Sequence, residues 1–250
     1  MARPEPRNLT VMKSVRITPN LHRLTLGGEG LADFPRSQSG GYIKLMLPGA
    51  EGRKTPVRTY TIRSQSERAI EVDFALHGSI EKSGPATKWA LNARTGDMVK
   101  VGGPGAARPL PDMRGPFLLV GDMTALPAIS VNLKALSDEA KGDAIILVRD
   151  AGDKQRLAKP AGVVVHWLVE ADLGANPTLL ADAVRKLPTG GEVAYAWVAC
   201  EFEAMKLLRQ FLRVERQFGP DRLYISSYWK RGLMEDDHKQ IKRDDLETAD

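Results

Sequence analysis

The chain has 250 residues, 42% of them hydrophobic and 27% charged, a composition that supports packed cores and excludes predominant disorder. Its formal net charge is +5, but no Lys/Arg run exceeds two residues and no recognised nucleic-acid module is present, which argues against a nucleic-acid partner. The longest apolar patches, GPFLLVG and AIILV, are strand-sized rather than membrane-spanning.

The first twenty residues lack an apolar core of the signal-peptide kind. A single cysteine, Cys200, permits no internal disulfide and no cysteine metal cluster. These features lead to the expectation of a cytoplasmic protein without integral membrane association. His22, His77, His166 and His238 show no metal-ligand spacing, so no structural metal is expected. Charge is uneven: residues 1–112 hold 17 basic and 10 acidic side chains, residues 113–250 hold 19 and 21. A basic first part suits an anionic small molecule, although an uneven solvated surface would look the same.

In chain order, LTVMKSVRI, HRLTLGG, YIKLMLP, RTYTIRS and AIEVDFALH read as short β-strands separated by Gly, Pro and Asn. In the last of these, Ile70, Val72, Phe74 and Leu76 share one face. PATKWALNA is helix-like, with Pro85 in the first turn. GDMVKVGGPG reads as a strand followed by a turn. Five or six antiparallel strands in this span indicate a small barrel or sandwich. RPLPDMRGP, residues 108–116, reads as a linker.

Beyond the linker, strand and helix patterns alternate. PFLLVGD, DAIILVRD, VVVHWLVE, GEVAYAWVAC and RLYISSYW are strands; LPAISVNLKALSDE, PTLLADAVRKL and the long FEAMKLLRQFLRVERQF are helices. Near-continuous apolar strands predict a parallel sheet covered on both faces. The final segment, GLMEDDHKQIKRDDLETAD, is weakly helical at best: a terminal helix or a frayed tail. Two domains are therefore expected, 1–112 antiparallel β and 113–250 parallel α/β.

Five segments can carry chemistry. In PFLLVGDMTALPAI the strand is expected to end at Val120, with Gly121-Asp122 turning and Thr124 capping the next helix. Such a helix start suits a phosphate or a nicotinamide edge; ordinary capping is the alternative. In RTYTIRS, Arg58, Tyr60 and Ile62 share one face and Thr59, Thr61 and Arg63 the other. That arrangement offers a flat ring with charge beside it, or a core aromatic with solvated arginines. In HGSIEKSGPATKWA, Gly84-Pro85-Ala86 starts a helix, a second phosphate cradle, and His77 reads as a structural or phosphate-side donor. Cys200 and Glu201 follow a parallel strand, and Tyr228-Trp229 stand beside Lys230 and Arg231.

The order and spacing of RTYTIR, HGSIEKSGPATKWA, VGDMTALPAI, AWVACE and YWKRG closely resemble the siderophore-interacting proteins, flavin-dependent ferric-siderophore reductases of the ferredoxin-reductase-like superfamily. The resemblance covers about residues 8–232. It implies a six-stranded antiparallel Greek-key FAD-binding barrel followed by an α/β domain for NADPH or NADH. It implies that Arg58 holds the FAD phosphates, Tyr60 stacks at the isoalloxazine and Thr61 hydrogen-bonds the flavin. His77, Gly78, Gly84, Pro85, Ala86 and Trp89 would lie along the flavin and its diphosphate. Gly121, Asp122, Thr124 and Ala125 through Ile129 would line the nicotinamide side, with Glu201, Tyr228 and Trp229 completing the cofactor set.

Two departures stand out. Cys200 replaces a glycine of the family's A-G-E, so Cys200→Gly would tighten nucleotide binding if the thiol crowds the nicotinamide. Lys230 replaces an arginine of Y-W-R-x-G and loses its fork.

The implied reaction passes electrons from a nicotinamide, or from reduced ferredoxin, through flavin to chelated Fe(III). No residue is required as acid or nucleophile, and iron is part of the substrate. Arg53 and Lys54, just before the flavin motif, are candidates for docking an anionic ferric siderophore; a solvated loop is the alternative. Rival readings are a flavin reductase of the same architecture serving ferredoxin or another acceptor, and a non-redox ferric-siderophore binding protein.

Overall fold

The computed structural model describes residues 5–48, 55–76, 84–187, 193–233 and 235–247. They fall into two compact units. The first is drawn from Met1–Pro109, Ser130–Asn132 and Gly152–Arg156; the second from Leu110–Ile129, Leu133–Ala151 and Leu157–Asp250. No helix among the described residues is long and apolar enough to cross a membrane.

In the first unit six strands close a barrel: β1 (Arg7–Thr18), β2 (Leu21–Gly27), β3 (Tyr42–Met46), β4 (Val57–Gln65), β5 (Ala69–Ala75) and β6 (Met98–Gly105). Their spatial order is β1-β2-β5-β4-β3-β6, antiparallel throughout. Closure leaves no sheet edge exposed. The alternation in AIEVDFALH holds, since Ile70, Val72, Phe74 and Leu76 are all buried. With Leu9, Val11, Leu24, Leu26, Ile43, Leu45 and Ile62 they fill the interior, each such side chain contributing about 1.5–3 kcal/mol. Helix α1 (Pro85–Asn92) lays Ala86 and Ala90 on this core. The expected turn after VKV is instead the end of β6. At Gly105 an added Cβ would stand 2.0 Å from the Tyr42 ring, so a side chain there would have to push that exposed ring off β6.

The second unit is a five-stranded parallel sheet: β7 (Phe117–Asp122), β8 (Gly142–Val148), β9 (Val163–Val169), β10 (Tyr195–Glu201) and β11 (Leu223–Trp229). Their order is β11-β10-β7-β8-β9. Helices α2 (Leu126–Ala135), α3 (Leu179–Lys186) and α4 (Phe202–Arg209) follow β7, β9 and β10. The winding reverses between the neighbours β7 and β10, which makes their C-terminal ends the switch point where such sheets bind ligands. Every residue of β7 is buried. Cover on both faces, expected for all five strands, fails at edge strand β9, where Val164 and Val169 are exposed. The connection from β8 to β9 holds only a short 3-10 turn, Ala151–Asp153.

One further expectation is revised. The long helix predicted after β10 is α-helical only to Arg209; Gln210–Glu215 widen into a π turn that buries the successive residues Phe211 and Leu212. Of the two alternatives for the terminal segment, the helix holds: Glu235–Glu247 form helix α5. Long-range polar contacts hold it. His238 Nε2 meets Ser227 Oγ at 2.9 Å, Lys242 Nζ donates to Ser226 Oγ at 2.6 Å, and Arg209 grips Asp245 through two 2.6 Å bonds.

Candidate functional site

In the barrel unit the candidate residues gather on β4. Pairing with β5 sets Ile62 opposite Val72 and brings the Tyr60 ring to 4.3 Å, centroid to centroid, from Phe74, tilted by 41°. Phe74 in turn lies 6.1 Å from Trp89 of α1. Tyr60 and Trp89 are only partly buried against this core. The three rings, offset rather than stacked face to face, form an aromatic run from the interior to the surface.

Arg58, half-buried two residues earlier, donates from Nη1 to the Val57 carbonyl at 2.9 Å. Thr61 is also half-buried. Gly84 precedes α1 with no side chain capping the helix, and among the described residues an added Cβ there would meet nothing within 4 Å. A flat ring needs an aromatic platform, and a diphosphate needs cationic forks and helix-start N–H groups. Arg58, Tyr60, Thr61 and the open start of α1 are a donor set of that kind, so the residues fit FAD. Arg53, Lys54, His77 and Gly78 lie outside the described residues.

In the α/β unit the candidates are brought together more tightly. Strand β7 continues through Gly121 and Asp122 rather than turning after Val120. A Cβ on Gly121 would stand 2.7 Å from the Ala199 carbonyl and 2.8 Å from Ile129 Cδ1, so close strand and helix packing demands glycine. Asp122 is 1% exposed. Its Oδ1 accepts from Thr124 N at 2.8 Å and Thr124 Oγ1 at 2.6 Å. Its Oδ2 accepts from Glu201 N at 2.9 Å and Trp229 Nε1 at 2.8 Å. Thr124 is therefore bound to Asp122, and the N-cap of α2 is Ala125, without a side-chain cap. Burial pushes the Asp122 carboxyl above its ordinary range, while Thr124, Trp229 and the backbone donors pull it down.

Glu201 is a second buried carboxylate. Oε2 caps α4 by accepting from Glu203 N and Ala204 N, and Oε1 accepts from Arg231 N at 3.1 Å. Between them Asp122 and Glu201 tie the C-terminal ends of β7, β10 and β11. The polar atoms of Asp122, Thr124, Glu201 and Trp229 thus meet one another. Tyr228 stands edge-on to Trp197 at 6.5 Å. Lys230 pairs with Glu203, holding that carboxyl below the usual range, and sits 4.4 Å above the Phe202 ring. Arg231 pairs with Asp172.

Cys200 lies within β10 and is fully buried. Burial first, then the charges of Asp122 and Glu201, raise its thiol pKa well above the ordinary value. Its side chain fills protein interior, not open space over the strand end.

Phe74, legible as a core residue from the alternation of its strand, also backs the Tyr60 ring; its position on β5 beside β4 was the available signal.

Family models for the siderophore-interacting protein match residues 115–232, and those for the siderophore-interacting FAD-binding domain match residues 10–56 and 49–108. The chain is 36% identical to the ferric vibriobactin reductase ViuB of Vibrio cholerae, over 92% of each chain. It is 28% identical to an NADPH-dependent ferric-chelate reductase of Escherichia coli, over 89% of this chain and 92% of that one. Among solved structures, the siderophore-interacting protein SipS of Aeromonas hydrophila superposes with a TM-score of 0.83 at 31% identity, covering 97% of this chain and 98% of that one.

Proposed function

The chain belongs to the siderophore-interacting protein family, and from that premise we propose that it is an FAD-dependent ferric-siderophore reductase with NADPH or NADH as donor. The observation that carries the reading is the β4 platform: Tyr60 on Phe74, with Arg58 two residues earlier on the same strand, together with the uncapped start of α1. Relatives named as a ferric vibriobactin reductase and an NADPH-dependent ferric-chelate reductase support the reaction class and the donor.

On this reading Tyr60 seats the ring, Thr61 donates to its polar edge, and Arg58 with Gly84, Pro85 and Ala86 holds the diphosphate. The chemistry that FAD supplies when bound is the conversion of a two-electron donor's reducing power into single electrons for chelated Fe(III). No side chain needs to transfer a proton; the protein orients ligands and tunes their electrostatics. Asp122 and Glu201 act indirectly, holding the backbone ends of β7, β10 and β11 at the switch point where the nicotinamide binds. The domains are assigned as 1–112 for flavin and 113–250 for the donor. Arg53 and Lys54 dock the ferric complex.

The test is the absorbance spectrum of the purified chain supplied with FAD, followed by anaerobic reduction with NADPH, NADH or reduced ferredoxin and reoxidation by ferric chelates. Flavin bands, bleached by a donor and restored by a chelate, are expected. Restoration by protein acceptors alone would overturn the assignment, and absence of any flavin uptake would remove the reductase altogether.

A further inference from the structure

Strand β9 ends the parallel sheet, with β8 on one side and no strand on the other among the described residues. Its sequence, VVVHWLV, carries no Lys, Arg, Asp, Glu or Pro, and it pairs with β8 from Val163 to Val169 without a register shift. Natural sheets guard their edges with charge, proline, bulges or a covering segment, because an open edge invites another strand. Here Val164 is 52% exposed and Val169 47%. The one titratable side chain of the strand, His166, is held at 2.6 Å by Asp143 of β8.

The outward backbone groups follow from the inward ones. Gly142 N donates to the Gly162 carbonyl, and Glu170 N donates to the Val148 carbonyl. Gly162 and Glu170 therefore turn their backbone groups toward β8, as do Val164, His166 and Leu168 between them, because these groups alternate along a strand. Val163, Val165, Trp167 and Val169 turn theirs outward. Val163 is satisfied locally: its N–H donates to the Pro160 carbonyl and its carbonyl accepts from Lys159 Nζ. The N–H and C=O groups of Val165, Trp167 and Val169 remain at the edge, without partners among the described residues. They are disposed symmetrically about Trp167.

We propose that β9 is a homodimer interface, pairing antiparallel with β9 of a second copy of this chain about a two-fold axis at Trp167. In that register Trp167 faces Trp167 of the second copy. Val165 and Val169 exchange paired N–H···O=C bonds with its Val169 and Val165. Each outward group left open in one copy meets its complement in the other, and the two sheets run on as one. The antiparallel direction closes under a two-fold axis, so neither copy keeps an open β9 edge. Charge favours the same direction. Lys159 precedes the strand, while Glu170 and Asp172 follow it, so the basic entry of each copy lies beside the acidic exit of the other. Between them no like charges stand opposite one another.

The test is sedimentation velocity of the full chain from about 1 to 100 μM, a range suited to an interface of modest area. The wild type is expected to dimerise with a micromolar Kd. Val169→Pro removes an outward N–H that β8 does not use, a change an edge strand tolerates; the dimer should be lost throughout that range. Val164 reads the register. It would stand opposite Glu170 of the second copy, and the Glu170 carboxylate is fixed by Gly174 N and Asn176 N. Val164→Glu should therefore weaken self-association by about tenfold relative to Val164→Lys, since like charges would face each other at two symmetric places. Circular dichroism establishes that each variant is folded, and if Val169→Pro is not, the two changes at exposed Val164 carry the test.

A wild type that stays monomeric throughout, its edge left to solvent or to a strand of another protein, would overturn the proposal. So would a dimer that survives Val169→Pro in folded protein. Equal self-association of Val164→Glu and Val164→Lys would do the same, because the pairing would then lie elsewhere or in another register.

Discussion

The motif residues of the two units differ in how they spend their hydrogen bonds. On β4, Tyr60 and Arg58 stand half-buried, and in the same unit the start of α1 carries no side-chain cap. At the ends of β7, β10 and β11, Asp122 accepts four hydrogen bonds and Glu201 three. The first arrangement keeps a ring and a charge partly exposed. The second consumes its acceptors in bracing strand ends. A family motif therefore marks two different kinds of necessity, and hydrogen-bond accounting separates them.

The largest expected effect tests the bracing. Asp122→Ala removes the acceptor for donors on three segments, and urea denaturation should show a loss of about 3 kcal/mol or more, as for a broken buried polar network. FAD affinity should change little. A strong loss of FAD with unchanged stability would reverse the contrast. Next, Arg58→Ala should lower FAD affinity by roughly tenfold to a hundredfold, the worth of charge-assisted bonds to phosphate. Its stability should move by less than about 1 kcal/mol, as for a surface change. Equal FAD affinity for Arg58→Ala and Arg53→Ala would break the β4 assignment.

Cys200→Gly sharpens the same line. The thiol is buried, so the substitution should leave a cavity and a floppier strand, costing about 2 kcal/mol by thermal unfolding. Nucleotide affinity should be unchanged; tighter binding would restore the crowding idea. The smallest effect concerns α5. Arg209 holds the Asp245 carboxyl below its ordinary range. A depressed folded-state pKa contributes stability above the unfolded value and loses it as pH falls through the folded one. The protection of α5 amides from hydrogen exchange, taken relative to the intrinsic rate at each pH, should therefore fall as pH drops below the usual carboxylate range, and Asp245→Asn should abolish that dependence. The pair is partly screened, so its worth is about 1 kcal/mol or less.

Much of this was legible in the residue order. Period-two alternation in AIEVDFALH placed Ile70, Val72 and Phe74 inside a barrel, because strand geometry alone sends alternate side chains to one face. The change to apolar strands alternating with helices after residues 108–116 announced the parallel sheet, because crossover helices bury both faces of its central strands. The spacing of Arg58, Tyr60 and Thr61 put a ring, a charge and a hydroxyl on one short strand.

Tertiary structure alone decided the partners. Asp122 meets Glu201 and Trp229 across 79 and 107 residues of chain, and α5 is held by Ser227 and Arg209 rather than by its own weak apolar pattern. The register shift between Ile62 and Ser64 exists only in the pairing of β4 with β5. Local pattern reports the conformation of each segment. Whether a polar group is satisfied depends on what the fold brings against it from far away.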